Sequence, residues 1–182
     1  MGGTTGGQNA RDCLSLLRTL RAVRSFRPDH VPQEVVDDVL EVARWSGSAS
    51  NKQPWEILVV RERDTLRSLA SVGGYAWHLA GAPLGIVLVM AGERAEQETY
   101  DEGRLAERIM LAAHAHGVGS SIGWFVGSGR DAARELLGIP KEKVVRTAIS
   151  LGYPEEEARR SRARRGPARK SLGEIVHEES YA

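Results

Sequence analysis

Apolar residues recur along the chain with two periods, and the change from one to the other marks out the elements. Leu14, Leu16, Leu17 and Leu20 give a short helix from Asp12. Pro32 suits a first helical turn, after which Val36, Val39, Leu40 and Ala43 repeat at helical spacing up to Trp45. Trp55–Val60 (WEILVV) and Leu84–Met90 (LGIVLVM) are short, β-branched and bounded by turn residues, which predicts buried strands, with a helix over Thr65–Ser71 between them. Leu105, Ile109, Ala112, Ala113 and His116 share a helical stripe, but Ile109–Ala115 is nearly apolar all round, so this helix is expected at the centre, stopped by Gly117. SSIGWFV, residues 120–126, reads as a strand, Arg130–Leu137 as a helix ended by Gly138 and Pro140, and Val144–Leu151 as a last strand. Helices and strands interleave, which places the chain in the α+β or α/β class. Residues 1–10 are glycine-rich and polar and are expected to be a disordered lead, leaving residues 11–182 as a single domain with a C-terminal arm over 152–182.

Charge and composition remove several functions. The 182 residues carry 25 basic and 24 acidic side chains, a net charge of +1, so no global field favours nucleic acid. The single Cys13 cannot form an internal disulfide, and no signal-peptide succession opens the chain, which points to the cytoplasm. The longest apolar run, Leu84–Ala91, falls far short of the roughly 20 residues that cross a bilayer, so no membrane partner is expected. Arg159, Arg160, Arg162, Arg164, Arg165, Arg169 and Lys170 crowd the arm. Glu155, Glu156 and Glu157 offset them and no aromatics interleave to stack bases, so a solvated arm is expected, with nucleic-acid binding as the alternative. GVGSSIG follows a helix, where a dinucleotide loop follows a strand. His114 and His116 face different ways and one cysteine makes no thiolate cluster, so no metal site is expected, and no G-x-S-x-G elbow is present.

What remains are cations at Arg21 and Arg24, amides at Asn51 and Gln53, and glycines at 117, 119 and 123. Guanidinium groups fork onto phosphate, amides pair with polar ring edges, and glycines let backbone N–H groups approach closely. The combination suits a large planar anion, with a cofactor carrying the redox chemistry.

Set in order, the segments resemble the flavin-dependent nitroreductase family from Leu14 to Val176. RAVRSFRPD is similar to its basic R-R-S-x-R-x-F motif, and SGSASNKQPW to its P-S-x-x-N-x-Q-P-W motif. YDEGRLAERIMLAAHAHGVGSS resembles its long central helix, with an aspartate and a glycine near the start, while LGYP and ARKSLGEIV resemble its closing segments. The resemblance implies an α+β fold with a central mixed, mainly antiparallel sheet flanked by helices, the C-terminal arm exchanged in a homodimer, and FMN at the interface. It implies that Arg21, Ala22, Arg24, Ser48, Asn51, Gln53, Ile122, Gly123, Trp124, Arg169 and Lys170 bind the cofactor. Among these, Arg24 stabilises charge on the flavin, and the backbone N–H groups of Gly123 and Trp124 meet its N5 and O4 edge. No catalytic side chain is strictly required. NADH or NADPH would donate a hydride, in a ping-pong cycle with a small-molecule acceptor such as a nitroaromatic or quinone. Tyr75, Trp77 and His78 either line the acceptor pocket or pack in the core, and Trp55 is expected in the core. Leu20 and Ala22 depart from the motif's first arginine and serine, and Gly47 from its proline. These departures keep deazaflavin use open, beside reductive dehalogenation or flavin fragmentation on the same fold.

Overall fold

The computed structural model describes residues 5–156 and 169–181. Its centre is a four-stranded sheet of β1 (Trp55–Val60), β2 (Leu84–Met90), β3 (Gly119–Trp124) and β4 (Val144–Gly152), ordered β1-β2-β4-β3 and antiparallel throughout. Parallel pairing among the described residues is confined to one isolated bridge, Ala22–Ser120. Among the described residues five α-helices accompany the sheet: α1 (Thr5–Thr19), α2 (Gln33–Arg44), α3 (Arg63–Val72), α4 (Ala95–Ala115) and α5 (Ser128–Leu136). The fold is α+β, as the sequence indicates.

Burial on both faces explains the unbroken apolar run of β2. Leu84, Ile86 and Leu88 pack with Val36 and Val39 of α2 and Leu105 and Ile109 of α4. Val87 and Val89 point the other way, toward Leu66 and Leu69 of α3 and Ala133 of α5. Strands covered on both sides lose the apolar-polar alternation.

A register shift between Leu88 and Val89 opposite β4 changes which way the start of β4 faces. Past Ile149 and Thr147, Val145 turns to the α3/α5 side, and Arg146 turns to α4. There its Nε donates to Oε2 of Glu102 at 2.8 Å, and the two side chains form a buried ion pair. A bulge re-aims a side chain in this way.

Three differences from the sequence reading have local causes. Helix α1 begins at Thr5, so residues 5–10 are helical where a disordered lead is expected; Gln8 Nε2 donates to Asp12 Oδ1 one turn on, at 2.8 Å. Residues 1–4, and the arginines from 159 to 165, lie outside the described residues. Trp77–Gly81 forms a 3₁₀ turn that has no sequence periodicity. The long helix reaches back to Ala95, because the Glu98 carboxylate accepts the N–H groups of Gly92, Glu93 and Arg94 at 2.9–3.0 Å. Burial raises the Glu98 pKa, but these N–H groups outweigh it and hold the carboxyl below its usual range. Among the described residues no helix is long and apolar enough to cross a membrane.

Candidate functional site

The basic segment runs extended along one end of β3 and β4. Val23 and Phe26 are its buried residues, closing a small cluster with Ala82, while Arg21, Arg24 and Arg27 stay exposed. Val23 N–H donates to Ser120 O at 2.7 Å and Arg27 N–H to Tyr153 O at 2.8 Å, which fixes the segment to β3 and to the residue just past β4. Arg27 lies over the Tyr153 ring, and Arg21 donates to the carbonyls of Arg18 and Leu20 at the end of α1. Arg21 also borders a cavity of about 340 Å³ with Thr19, His114, Gly117, Gly119 and Ser120. The Ser120 hydroxyl there is buried and has no partner among the described residues.

β3 is an edge strand, and its outer edge is covered at two points. Val23 takes the Ser120 carbonyl at one end, and Tyr75 N–H donates to Trp124 O at 3.0 Å at the other. Phe125 N–H donates to Arg146 O at 2.9 Å, so the alternation of an antiparallel ladder turns Gly119, Ser121 and Gly123 toward β4. The N–H groups of Ile122 and Trp124 therefore face the open edge, with no acceptor among the described residues. This corrects one expectation: the Gly123 N–H belongs to the ladder, and the open amides are those of Ile122 and Trp124.

Gly123 has another reason to be glycine. A Cβ there would lie 2.8 Å from Ala76 Cα and 3.3 Å from His78 Cε1, so the 73–78 segment packs directly on the strand. His78 is thus a core residue, 2% exposed, and not a pocket wall. Its Nδ1 meets Ser150 Oγ at 2.7 Å. Tyr75, Trp77 and Trp124 stand on the surface beside it at 68%, 61% and 50% exposure.

Burial, then the Arg24 cation, lower the His78 pKa, while the carbonyls of Ile122 and Tyr75 beside the ring push it the other way. The unfolded chain takes up this proton near pH 6.5, so the contribution of His78 is complete above that pH and is lost as the pH falls toward the folded-state pKa. Urea unfolding stepped down from neutral pH should show stability falling on that limb, with a slope from this one proton of at most about 1.4 kcal/mol per pH unit. His78→Asn should flatten it; an equally steep limb in that variant would assign the dependence to other groups.

The amide segment forms a strained loop ahead of β1. Ser50, Asn51 and Gln53 adopt φ of 53°, 54° and 49°, a left-handed region that costs a non-glycine residue about 1–2 kcal/mol each. Gln53 N–H donates to Ser48 Oγ at 2.8 Å, and the Gln53 amide reaches Asn51 Oδ1 at 3.3 Å. The loop is therefore held as a unit that displays Asn51 and Gln53 to solvent. No hydrogen bond or ion pair among the described residues joins it to Arg21 or Arg24. Arg169 and Lys170 are exposed, and Trp55 is half-buried against the α2/α4 core.

Two residues that the sequence reading assigns no role at the site support the loop from α4. Asp101, buried, accepts the Ala49 N–H at 3.2 Å, and Arg104 sits where a side chain at Gly47 would go. Among the described residues no cluster of acidic, histidine or cysteine side chains suits a metal ion.

Residues 17–75 match the family model for the nitroreductase family. The chain is 35% identical over 153 residues to an Archaeoglobus fulgidus protein provisionally named NADH dehydrogenase/NAD(P)H nitroreductase, covering 80% of this chain and 87% of that one. A Methanothermobacter thermautotrophicus protein with the same provisional name is 30% identical, with 83% and 82% covered. The solved structure of an FMN-dependent nitroreductase from Clostridium difficile superposes with a TM-score of 0.80 at 25% identity, covering 92% of this chain and 99% of that one. With this identity held over four fifths of its length, the chain belongs to the nitroreductase family.

Proposed function

We propose that this protein is an FMN-dependent oxidoreductase that takes a hydride from NADH or NADPH and reduces a small-molecule acceptor such as a nitroaromatic or a quinone. The observation that carries this reading is the outer β3 edge, where the N–H groups of Ile122 and Trp124 point away from β4 at fixed spacing and meet no acceptor among the described residues. Fixed donors beside a cation suit a ring edge that gains negative charge, and they need no reorganisation as it does so.

The residues present fit FMN. Arg21 and the unpartnered Ser120 hydroxyl border one cavity, a donor set for phosphate or ribityl oxygens, with Arg169 and Lys170 of the arm as further phosphate partners. Ala22 sits between the two arginines as backbone. When bound, FMN supplies the hydride-accepting ring for a ping-pong cycle. Arg24 holds positive charge beside that ring. Tyr75, Trp77 and Trp124 offer flat apolar faces to a planar acceptor and keep water from it.

The reading includes a homodimer in the cytoplasm, in which Ser48, Asn51 and Gln53 of one protomer serve the flavin of the other. The outer edge of β1 supports an exchanged arm. Ala91 N–H donates to Pro54 O, so the backbone groups of Ile57 and Val59 face away from β2 and have no partner among the described residues. Arm residues Leu172, Ile175 and Val176 are exposed on the single chain, and an unpaired edge and uncovered apolar side chains both call for cover.

The absorbance spectrum of the freshly purified protein, followed by chromatography of the cofactor released on denaturation, tests the reading. Flavin bands with FMN released in near-equimolar amount are expected, from a species that sediments as a dimer. A colourless protein that does not take up added FMN would overturn it.

A further inference from the structure

We propose that Asp101 is a positioning residue for this site, the strut that holds the amide loop in its strained conformation. The inference rests on the reading of that loop as part of the flavin site.

Three observations converge on it. The loop carries three non-glycine residues at positive φ within four positions, an arrangement that persists only where surrounding contacts over-determine it. Its internal bonds, Gln53 N–H to Ser48 Oγ and Asn51 N–H to Ser48 O, tie the loop to itself but not to the body of the protein. The loop and α4 share the lining of a cavity of about 330 Å³, to which the loop contributes Ala49, Lys52 and Gln53 and the helix Gln97, Glu98 and Asp101, so the two do not pack without a gap. At its border the Ala49 N–H donates to the Asp101 carboxylate at 3.2 Å, a loop-to-helix bond over 52 residues of sequence.

Arg104, one turn along α4, completes the brace. Its Nη1 lies 3.5 Å from Asp101 Oδ1, and its Nη2 would be 2.2 Å from a Cβ at Gly47. The absence of a side chain at Gly47, where the related motif has proline, thus makes room for the cation that accompanies the buried Asp101 carboxylate. Asp101 is buried beneath the loop backbone and acts through Ala49 on Ser48, Asn51 and Gln53.

Two readouts test the strut, one without flavin. Lys52 is exposed within the loop, so the rate of tryptic cleavage after it in the apo protein reports how firmly the loop is held. Asp101→Ala should raise that rate and weaken FMN binding, followed by quenching of flavin fluorescence, by about tenfold. Asp101→Asn keeps an oxygen that can accept the Ala49 N–H and should stay close to wild type in both. A role confined to general stability would lower the melting temperature of Asp101→Ala and leave its FMN affinity and its Lys52 cleavage as in wild type, which overturns the proposal. If Asp101→Ala does not fold, Arg104→Met removes the other leg of the brace, and an unchanged cleavage rate in that variant overturns it equally. Wild-type protein that does not bind FMN refutes the flavin reading, while the cleavage rates still decide whether Asp101 holds the loop.

Discussion

Arg146→Met is expected to destabilise the fold by about 3–5 kcal/mol, because it leaves the Glu102 carboxylate buried without a cation. Arg146 reaches Glu102 through the β4 bulge, and one Glu102 oxygen already lacks a partner among the described residues, so little else is at hand to compensate the charge. The pair as a whole gains far less than its disruption costs, since both ions were taken out of water to make it. The double variant Glu102→Met/Arg146→Met should therefore recover most of the loss. Urea unfolding of the three proteins at neutral pH measures this. A single-variant loss below about 1 kcal/mol, or a double variant no better than the single, would show that water reaches the pair. The backbone of the same residue accepts the Phe125 N–H just beyond the open edge of β3, so the bulge links core electrostatics to the site's outline.

How much of this could be read from the sequence depends on the range of the interaction. The LGIVLVM and WEILVV strands, α2 and the core of α4 follow from periodicity, since each element's own residues settle its burial. The basic segment and the amide loop are visible as motifs, but how each is held, by β3 and Tyr153 or by α4, is not. Register was not legible. Whether Gly123 or its neighbours present open amides depends on how β3 pairs with β4, and a shift of one residue exchanges them. His78 was ambiguous for a related reason: a histidine in an aperiodic segment takes its burial from its contact with Gly123 and Ser150, on strands far along the chain. Asp101 carried a faint signal as the aspartate near the start of the long helix. Its partner at Ala49, a backbone N–H, leaves no trace in side-chain pattern at all.

Gly123→Ala should separate the fold from the site. The new Cβ would fall 2.8 Å from the Ala76 Cα and 2.9 Å from its Cβ, distances that backbone atoms cannot relieve by a rotamer change. Either β3 or the 73–78 segment must move, at a cost of about 1–3 kcal/mol by the usual measure of overpacking. The ladder to β4 holds the strand on one side, so the displacement should fall on the Tyr75 N–H to Trp124 O bond at the outer edge. That bond bounds the open stretch in which Ile122 and Trp124 present their N–H groups, and donors shifted there by a fraction of an ångström lose alignment with any ring edge. FMN affinity should accordingly fall by more than about tenfold while the far-ultraviolet dichroism stays that of the wild type. Gly81→Ala in the same 3₁₀ turn meets no atom within 4 Å and should leave both properties unchanged. Wild-type FMN affinity in Gly123→Ala would mean that the open β3 edge is not where the ring docks, and would move the site toward the Arg21 cavity alone.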